Sequence, residues 1–393
     1  MSKIRPQTRT MIDRLVGFDT TSAKSNLALI DFAQETLEGQ GARCRRTTNP
    51  EGTKANLFAS IGPEGPGGVV LSGHSDVVPV DGQSWDSDPF TVVERDGRLY
   101  GRGTSDMKSF LAAAIALVPE FQAQPLKHPL HIAMSFDEEV GCTGVGHMID
   151  DITANLPRPD MVIVGEPTSM RIVNGHKGCF IFETRVTGQA AHSSQPHRGG
   201  NAILAAGRLI AFLDEMAAAK RRAAPADSPF DPPYTTFNLG LVEGGKAINI
   251  VAQDCRFGWE FRPLPSEDTD AIVAAFEAFA ENEVLPGLRE FAPQARIETE
   301  PMATVLPLAP EEGGVNGGAA ESLVRRLSGS NAAAGVVSFG TEGGLFQAAG
   351  ISTVVFGPGY IDQAHKPNEW VGLEQVAACG AFLLKLRGWA AGA

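Results

Sequence analysis

Residues 69–79 read VVLSGHSDVVP. Val69, Val70 and Leu71 are apolar and β-prone, which predicts a buried strand. The run then turns polar, with His74 and Asp76 one residue apart and Pro79 closing the segment. Residues two apart on a strand share a face, so an imidazole and a carboxylate are presented together where the strand ends. Alone, the pair favours a structural histidine; its weight comes from recurrence of the same pattern elsewhere in the chain.

Three more apolar runs end in the same way. LHIAMSFDEEVG (130–141) ends in Asp137, Glu138 and Glu139, MVIVGEP (161–167) ends in Glu166, and STVVFGPGYIDQAH (352–365) leads to His365. Asp106, in YGRGTSDMK (100–108), precedes a predicted helix, and Gly101 and Gly103 permit a tight turn before it. In open α/β sheets ligands lie beyond the carboxyl ends of the strands, so parallel strands would bring these groups to one edge. Two imidazoles and several carboxylates without a thiolate suit Zn2+, Mn2+ or Co2+. A two-metal site needs a bridging carboxylate and holds its ions about 3.5–4 Å apart around one activated water. The pKa of that water falls towards about 7, and a nearby carboxylate can take and return its proton. Each residue also has an ordinary reading: DEE as a solvated acidic turn, Glu166 as a loop residue before Pro167, His365 as a surface histidine. Coincidence at four strand ends argues for a site. His128 and His131 flank a strand start and His147 falls in a predicted helix, so these three read as structural.

The chain has 393 residues, long for one domain and comfortable for two. Its 43% hydrophobic content is that of a globular protein with a full core. The formal net charge of -13 argues against nucleic acid and anionic membranes as partners. The 5 cysteines include no C-x-x-C pair, which argues against a disulfide scaffold and fits a reducing cytosol. MSKIRPQTRTMIDRLVGF lacks the apolar region of a secretory signal. No segment approaches the roughly 18 apolar residues of a transmembrane helix, so a cytoplasmic protein is expected.

Apolar spacing predicts helices over 10–20 and 26–40, then strands in ANLFASIG (55–62) and GGVVLSG (67–73) across the turn GPEGPGG. A helix over MKSFLAAAIALVPEF (107–121), strand LHIAMSF, a helix near GVGHMIDDI and strand MVIVG follow. This alternation implies α/β layers. After Lys177 the order becomes strand CFIFETRVTG, helix NAILAAGRLIAFLDEMAAA, strands TTFNLGLVEGG and DCRFGWEFRPL, helix TDAIVAAFEAFAENEV and strand ARIETE. That is the β-α-β-β-α-β order of the ferredoxin-like split unit. AAAKRRAAPADSPFDPP (217–233) reads as a surface loop within it. From about residue 303 the α/β style resumes with helix AAESLVRRLSG, strands AGVVSFG and STVVFG, and a last helix from about Glu374. The expected organisation is one domain formed by 1–178 and 303–393, interrupted by an inserted domain at 179–302.

Five ordered segments, SGHSDVVPVDGQSWDSDPF, GRGTSDMK, SFDEEVGC, GEPTSM and DQAHKPNEW, together resemble the M20 family of dinuclear zinc peptidases and deacylases. The resemblance extends over nearly the whole chain, insert included. Within the family, GEPTSM, NGHKGC and GYIDQAHKPNEW are most similar to the acetylornithine deacetylase branch. The resemblance implies a zinc-aminopeptidase-like α/β catalytic domain, with a mixed sheet between helices, interrupted by a ferredoxin-like α+β lid and dimerisation domain. It implies two divalent metal ions, Zn2+ with Co2+ or Mn2+ as alternatives. Asp106 would bridge them, His74 and Glu166 would complete one site, and Glu139 and His365 the other. Glu138 would then be the general base and Asp76 would orient His74, since a carboxylate on the second ring N–H fixes the tautomer and raises basicity. Asp137 is assigned nothing and reads as a helix N-cap or an exposed acid.

The same resemblance extends to the insert. In TGQAAHSSQPHRGGNA (187–202), His192 matches a lid histidine that helps stabilise the oxyanion in the partner subunit's site of dimeric relatives. The plain alternative is a histidine capping the next turn, and His197 reads as lid-structural. Asn249 and Arg262 match positions that hold a substrate carboxylate, with a structural salt bridge as the alternative for Arg262. Gly340 and Thr341 match a pocket-lining loop, and Glu342 is either the group facing an ornithine-like ammonium or a surface acid. The implied activity is hydrolysis of an N-acyl amino acid, N2-acetyl-L-ornithine, to L-ornithine and acetate in arginine biosynthesis, by a homodimer joined through the lid. The alternatives are a succinyl-diaminopimelate desuccinylase, another M20 aminoacylase or carboxypeptidase, or a non-catalytic member. Against the last, every expected ligand and base position is filled.

Overall fold

The computed structural model describes residues 4–313 and 317–392. The chain divides into two compact units, one of Met1–Gly175, Leu308–Val336 and Thr341–Ala393, the other of His176–Pro307 and Val337–Gly340. The sequence places the breaks after residues 178 and 302. The later break moves because the strand Arg296–Val305 continues past Pro301 and pairs with Cys179–Thr187 as far as Val305 opposite Cys179.

The first unit carries an eight-stranded mixed sheet. From one edge its order is Arg43–Thr48, Ala55–Ile61, Leu130–Ser135, Val69–His74, Met161–Val164, Ser352–Val355, Val173–His176 and Gly335–Val337. The central four are parallel, with Val69 opposite both Leu130 and Met161. Val69–His74 is buried at every position, which is why it reads as a continuous apolar run rather than an alternating one. The helix Lys108–Ala116 is also buried throughout and packs on this strand. The helices Pro6–Val16 and Leu373–Ala390 pack on Lys108–Ala116 in turn. The single helix expected over 107–121 breaks at Leu117, because Pro119 has no N–H to continue the ladder.

The second unit is a four-stranded antiparallel sheet in the order Thr236–Gly244, Asp254–Arg262, Cys179–Thr187, Arg296–Val305. Its helices are Ala202–Arg222 and Thr269–Phe279. Cys255, Phe257, Trp259 and Phe261 point to the core and alternate with less buried residues, the period of a sheet covered on one face. Trp259 stacks on Phe182 at 4.7 Å and donates its Nε1–H to Thr184 Oγ1 at 3.0 Å. Asn201 starts the first helix by accepting from Ile203 N and Leu204 N. That helix runs on to Arg222, so the expected loop begins only at residue 223; AAAK is helix-forming sequence.

All five cysteines are free. Among the described residues no helix is long and apolar enough to cross a membrane.

One buried histidine makes stability pH-dependent. His131 stacks on Phe58, lies 2.9 Å from Ser60 Oγ through Nδ1, and is held down by burial from its ordinary 6.5 to about 4. Between these values the unfolded chain binds a proton that the folded chain refuses. Stability therefore falls as pH drops from about 6.5 towards about 4, by an amount on the order of 3 kcal/mol at full extent. Urea midpoints at neutral and acid pH, compared between wild type and His131→Leu, check this. The acid loss should shrink in the variant, and an unchanged loss would show that this imidazole stays out of the transition.

Candidate metal centre

The carboxyl ends of the parallel strands bring the acids and imidazoles of the first unit together. His74 ends its strand, and its Nε2 lies 3.0 Å from Asp106 Oδ1, 3.7 Å from Glu166 Oε1 and 4.0 Å from Glu138 Oε2. His365 Nε2 lies 2.9 Å from Glu139 Oε2 and 3.6 Å from Asp106 Oδ2. The two oxygens of Asp106 thus face two different imidazoles, the disposition of a bridging carboxylate. Ligand atoms of His74, Asp106 and Glu139 all fall within 4.8 Å of one another, as do those of His74, Glu138 and Glu166. His365 alone stands open, its side chain 58% exposed.

Local backbone explains the placement. Gly103 has φ +83°, and a Cβ there would lie 2.9 Å from Val77 Cγ1, so the turn that presents Asp106 requires glycine. His74 Nδ1 is 2.8 Å from the main-chain oxygen of Asp76 and 3.6 Å from its Oδ1. The imidazole is therefore oriented by the Asp76 carbonyl more closely than by its carboxylate. That carboxylate instead accepts from Glu138 N and Glu139 N, each at 3.2 Å, and from Ser22 Oγ at 2.7 Å. It holds the turn that aims both acids. Asp76→Asn replaces one of these acceptors with a donor. We expect an intact fold and a loss of roughly 10–100-fold in kcat or metal affinity, read by steady-state kinetics and metal titration; wild-type values for both would show that the turn does not need this carboxylate. Asp137, at φ +56°, is neither a cap nor a free acid; it pairs with Lys54 Nζ.

Electrostatics favour bound cations. Burial raises Glu138 and Glu166 well above the ordinary carboxylate range and Glu139 to about 7, and the neighbouring acids add to each rise. Burial alone would lower His74, but Asp106, Glu138 and Glu166 outweigh it and hold the imidazole well above 6.5. For Asp106 the burial penalty is outweighed by His74, so its carboxyl stays below its usual value. Four clustered acids thus share one buried imidazole and one exposed one. Glu166 Oε1 is buried with no hydrogen-bond donor, a costly state for a carboxylate. An all-nitrogen-and-oxygen donor set with excess negative charge and an orphaned carboxylate oxygen fits divalent cations.

The other candidates divide between the units. Thr341 is buried and its Oγ1 accepts from Gly343 N at 3.0 Å. Glu342 is 1% exposed, so it is no surface acid; its Oε2 accepts from Ser72 Oγ at 3.2 Å, and Ser135 also bonds its carboxyl. Burial pushes it to about 7. His192, Asn249, Arg262 and Gly340 belong to the second unit. His192 is exposed, and its Nδ1 meets Ser194 Oγ at 2.7 Å and Ser194 N at 3.2 Å, the capping geometry. Exposed Asn249 lies on the adjacent segment, its carbonyl accepting from Ser193 N at 3.0 Å. Arg262 donates to Glu260 from Nε at 3.0 Å and Nη2 at 3.4 Å. Sequence reasoning passed over Ser22, Lys54 and Glu369; only Glu369 carried a signal, lying within DQAHKPNEW.

Comparison with known proteins gives a consistent picture. The sequence pattern of Peptidase family M20/M25/M40 matches residues 70–387. An acetylornithine deacetylase of Myxococcus xanthus is 37% identical over 391 residues, covering 98% of each chain. Among solved structures, an M20-family metallo-carboxypeptidase from Sulfolobus solfataricus superposes with a TM-score of 0.73 at 19% identity, covering 98% of this chain and 100% of that one. A dinuclear metal-binding M20 peptidase from Bacillus subtilis gives 0.65 at 16% identity, covering 98% of each. The last two likenesses bear on the fold alone.

Proposed function

Because the chain belongs to the peptidase family M20/M25/M40, we propose that it is a metal-dependent amide hydrolase that removes the acetyl group of N2-acetyl-L-ornithine, giving L-ornithine and acetate. The observation that carries the hydrolytic reading is Asp106, set between His74 and His365 with Glu138 beside them. The substrate follows the Myxococcus xanthus relative, similar over nearly the full length of both chains. His74, Asp106 and Glu166 would hold one divalent cation, and Asp106, Glu139 and His365 a second. Zn2+ suits these donors, and Co2+ and Mn2+ share the preference. Such cations, when bound, supply Lewis acidity and lower the pKa of a water towards about 7.

The chain's own residues do the rest. The Glu138 carboxylate takes a proton from the attacking water and returns it to the departing amine nitrogen. His192, with Nδ1 occupied by Ser194, has Nε2 left to donate to the developing oxyanion. Asn249 and Arg262 would receive the substrate carboxylate, Gly340 and Thr341 would line the pocket, and the buried Glu342 would face the substrate ammonium. His192 would act in the partner subunit's site of a homodimer. Supporting that assembly, the edge strand Thr236–Gly244 exposes Leu239, Leu241 and Val242, and the helix Ala202–Arg222 exposes Ile203 and Leu204. An unpaired apolar edge of this kind invites a second copy. Free cysteines and the charge of -13 fit a cytoplasmic setting with neither nucleic acid nor membrane as partner, and a role in arginine biosynthesis would follow from the proposed release of L-ornithine.

The test is a kcat/KM panel on metal-loaded protein with N-acetylornithine, N-succinyl-diaminopimelate and N-acetylmethionine. N-acetylornithine should be preferred. Preference for the succinyl compound would make this a desuccinylase, and preference for N-acetylmethionine a general aminoacylase.

A further inference from the structure

The HKPNEW segment (365–370) carries an acid that the metal centre does not use. Glu369 precedes the strand Trp370–Gly372, which pairs antiparallel with Arg98–Tyr100, and Gly101 N donates to Glu369 O at 2.9 Å. This pairing lays the Glu369 side chain against the turn Gly103–Asp106. Its Oε2 accepts from Gly103 N at 2.9 Å and Arg102 Nη1 at 2.8 Å, and its Oε1 from Ser105 N at 2.8 Å and Asp106 N at 3.1 Å. Glu369 and Arg102 are each 1% exposed. A carboxylate at that depth is tolerable only when its oxygens are satisfied, and here both oxygens are filled by groups of the loop that presents Asp106.

The same guanidinium reaches the other side of the centre. Arg102 donates from Nη2 to Gln83 Oε1 at 2.7 Å and from Nη1 to Lys366 O at 3.3 Å, and Gln83 Nε2 donates to His365 O at 2.9 Å. His365 sits at φ +65°, a conformation that a residue other than glycine keeps only when its surroundings over-determine it. Gln83 and Arg102 supply that constraint.

We propose that Glu369 is a positioning residue for the metal centre: its carboxylate templates the amide turn presenting Asp106 and, through Arg102 and Gln83, fixes the loop presenting His365. The inference rests on the two-metal reading above. A Glu369 that only braced the strand pairing would affect stability and leave metal binding alone.

The test titrates Co2+ into chelated wild type, Glu369→Gln and Glu369→Asp, followed by visible absorption and calorimetry, with melting of the metal-free proteins and steady-state kinetics alongside. Glu369→Gln should weaken Co2+ uptake roughly 10–100-fold, alter the Co2+ spectrum, and lower kcat with KM little changed. Glu369→Asp, which keeps the carboxylate, should recover part of each. Wild-type Co2+ affinity and spectrum in a Glu369→Gln that only melts earlier would overturn the proposal. If Glu369→Gln does not fold, Gln83→Ala decides, since it removes only a half-buried amide: loss of affinity at one of two sites supports the proposal, and unchanged affinity at both overturns it. A wild type that takes up no Co2+ overturns the two-metal reading and this proposal with it, an outcome visible before any variant is compared.

Discussion

Replacing Glu138 with alanine is expected to leave a folded protein that still takes up metal but turns over roughly 10²–10⁴-fold more slowly. The proposed general base, Glu138, lies beside the candidate metal-binding groups. Its Oε2 lies 4.0 Å from His74 Nε2, its backbone N–H is held by Asp76, and Cys142 Sγ donates to its Oε1 at 3.5 Å. Since Glu138 also falls within ligand distance of His74 and Glu166, metal content separates the two roles. A base lost from the transition state lowers kcat and leaves KM little changed, whereas a ligand lost lowers metal content as well. Steady-state kinetics with N-acetylornithine and metal analysis on the same preparation read both. Wild-type turnover in the alanine variant would remove Glu138 from the mechanism.

Asp106→Asn should have the larger effect on the site itself. Among the described residues Asp106 is the one carboxylate whose two oxygens face both imidazoles, His74 at 3.0 Å and His365 at 3.6 Å. An amide of the same size keeps the packing and the Asp106 N–H bond to Glu369, but only one of its two terminal atoms accepts. A carboxylate bridge would then be lost, and with it the water-activating chemistry that a paired site would supply, worth several kcal/mol. We expect at most one metal ion per chain and a fall in kcat of about 10³-fold or more. Metal titration and melting of the metal-free protein check this; retention of two ions at wild-type affinity would show that Asp106 does not bridge.

The four strand-end candidates were legible because parallel strands buried on both faces are unbroken apolar runs, so a His, Asp or Glu where each run stops stands out. Asp106 was legible as an acid between a glycine turn and a helix. What escaped is tertiary in origin. Lys54 meets Asp137 from 83 residues away and Ser22 meets Asp76 from 54 residues away, and no local pattern announces either pair. The carboxylate of Asp76 turned out to hold the Glu138–Glu139 backbone, a choice made by the fold of the loop and invisible in H-x-D. The strand Arg43–Thr48, RCRRTT, is too polar to read as β because it forms the sheet's edge, where charged side chains reach solvent. Pro301 ends the apparent strand ARIETE. The structure carries the strand past it through a bulge between Pro301 and Ala303, which an edge strand tolerates because a missing N–H there need not have a partner.

That Asp106 and the two imidazoles form a two-metal hydrolytic centre is tested most directly by stripping the protein with a chelator and adding Zn2+ back while following N-acetylornithine hydrolysis. The stripped protein should be inactive, and activity should return with a break at two equivalents per chain. Full turnover in the stripped protein would contradict the assignment.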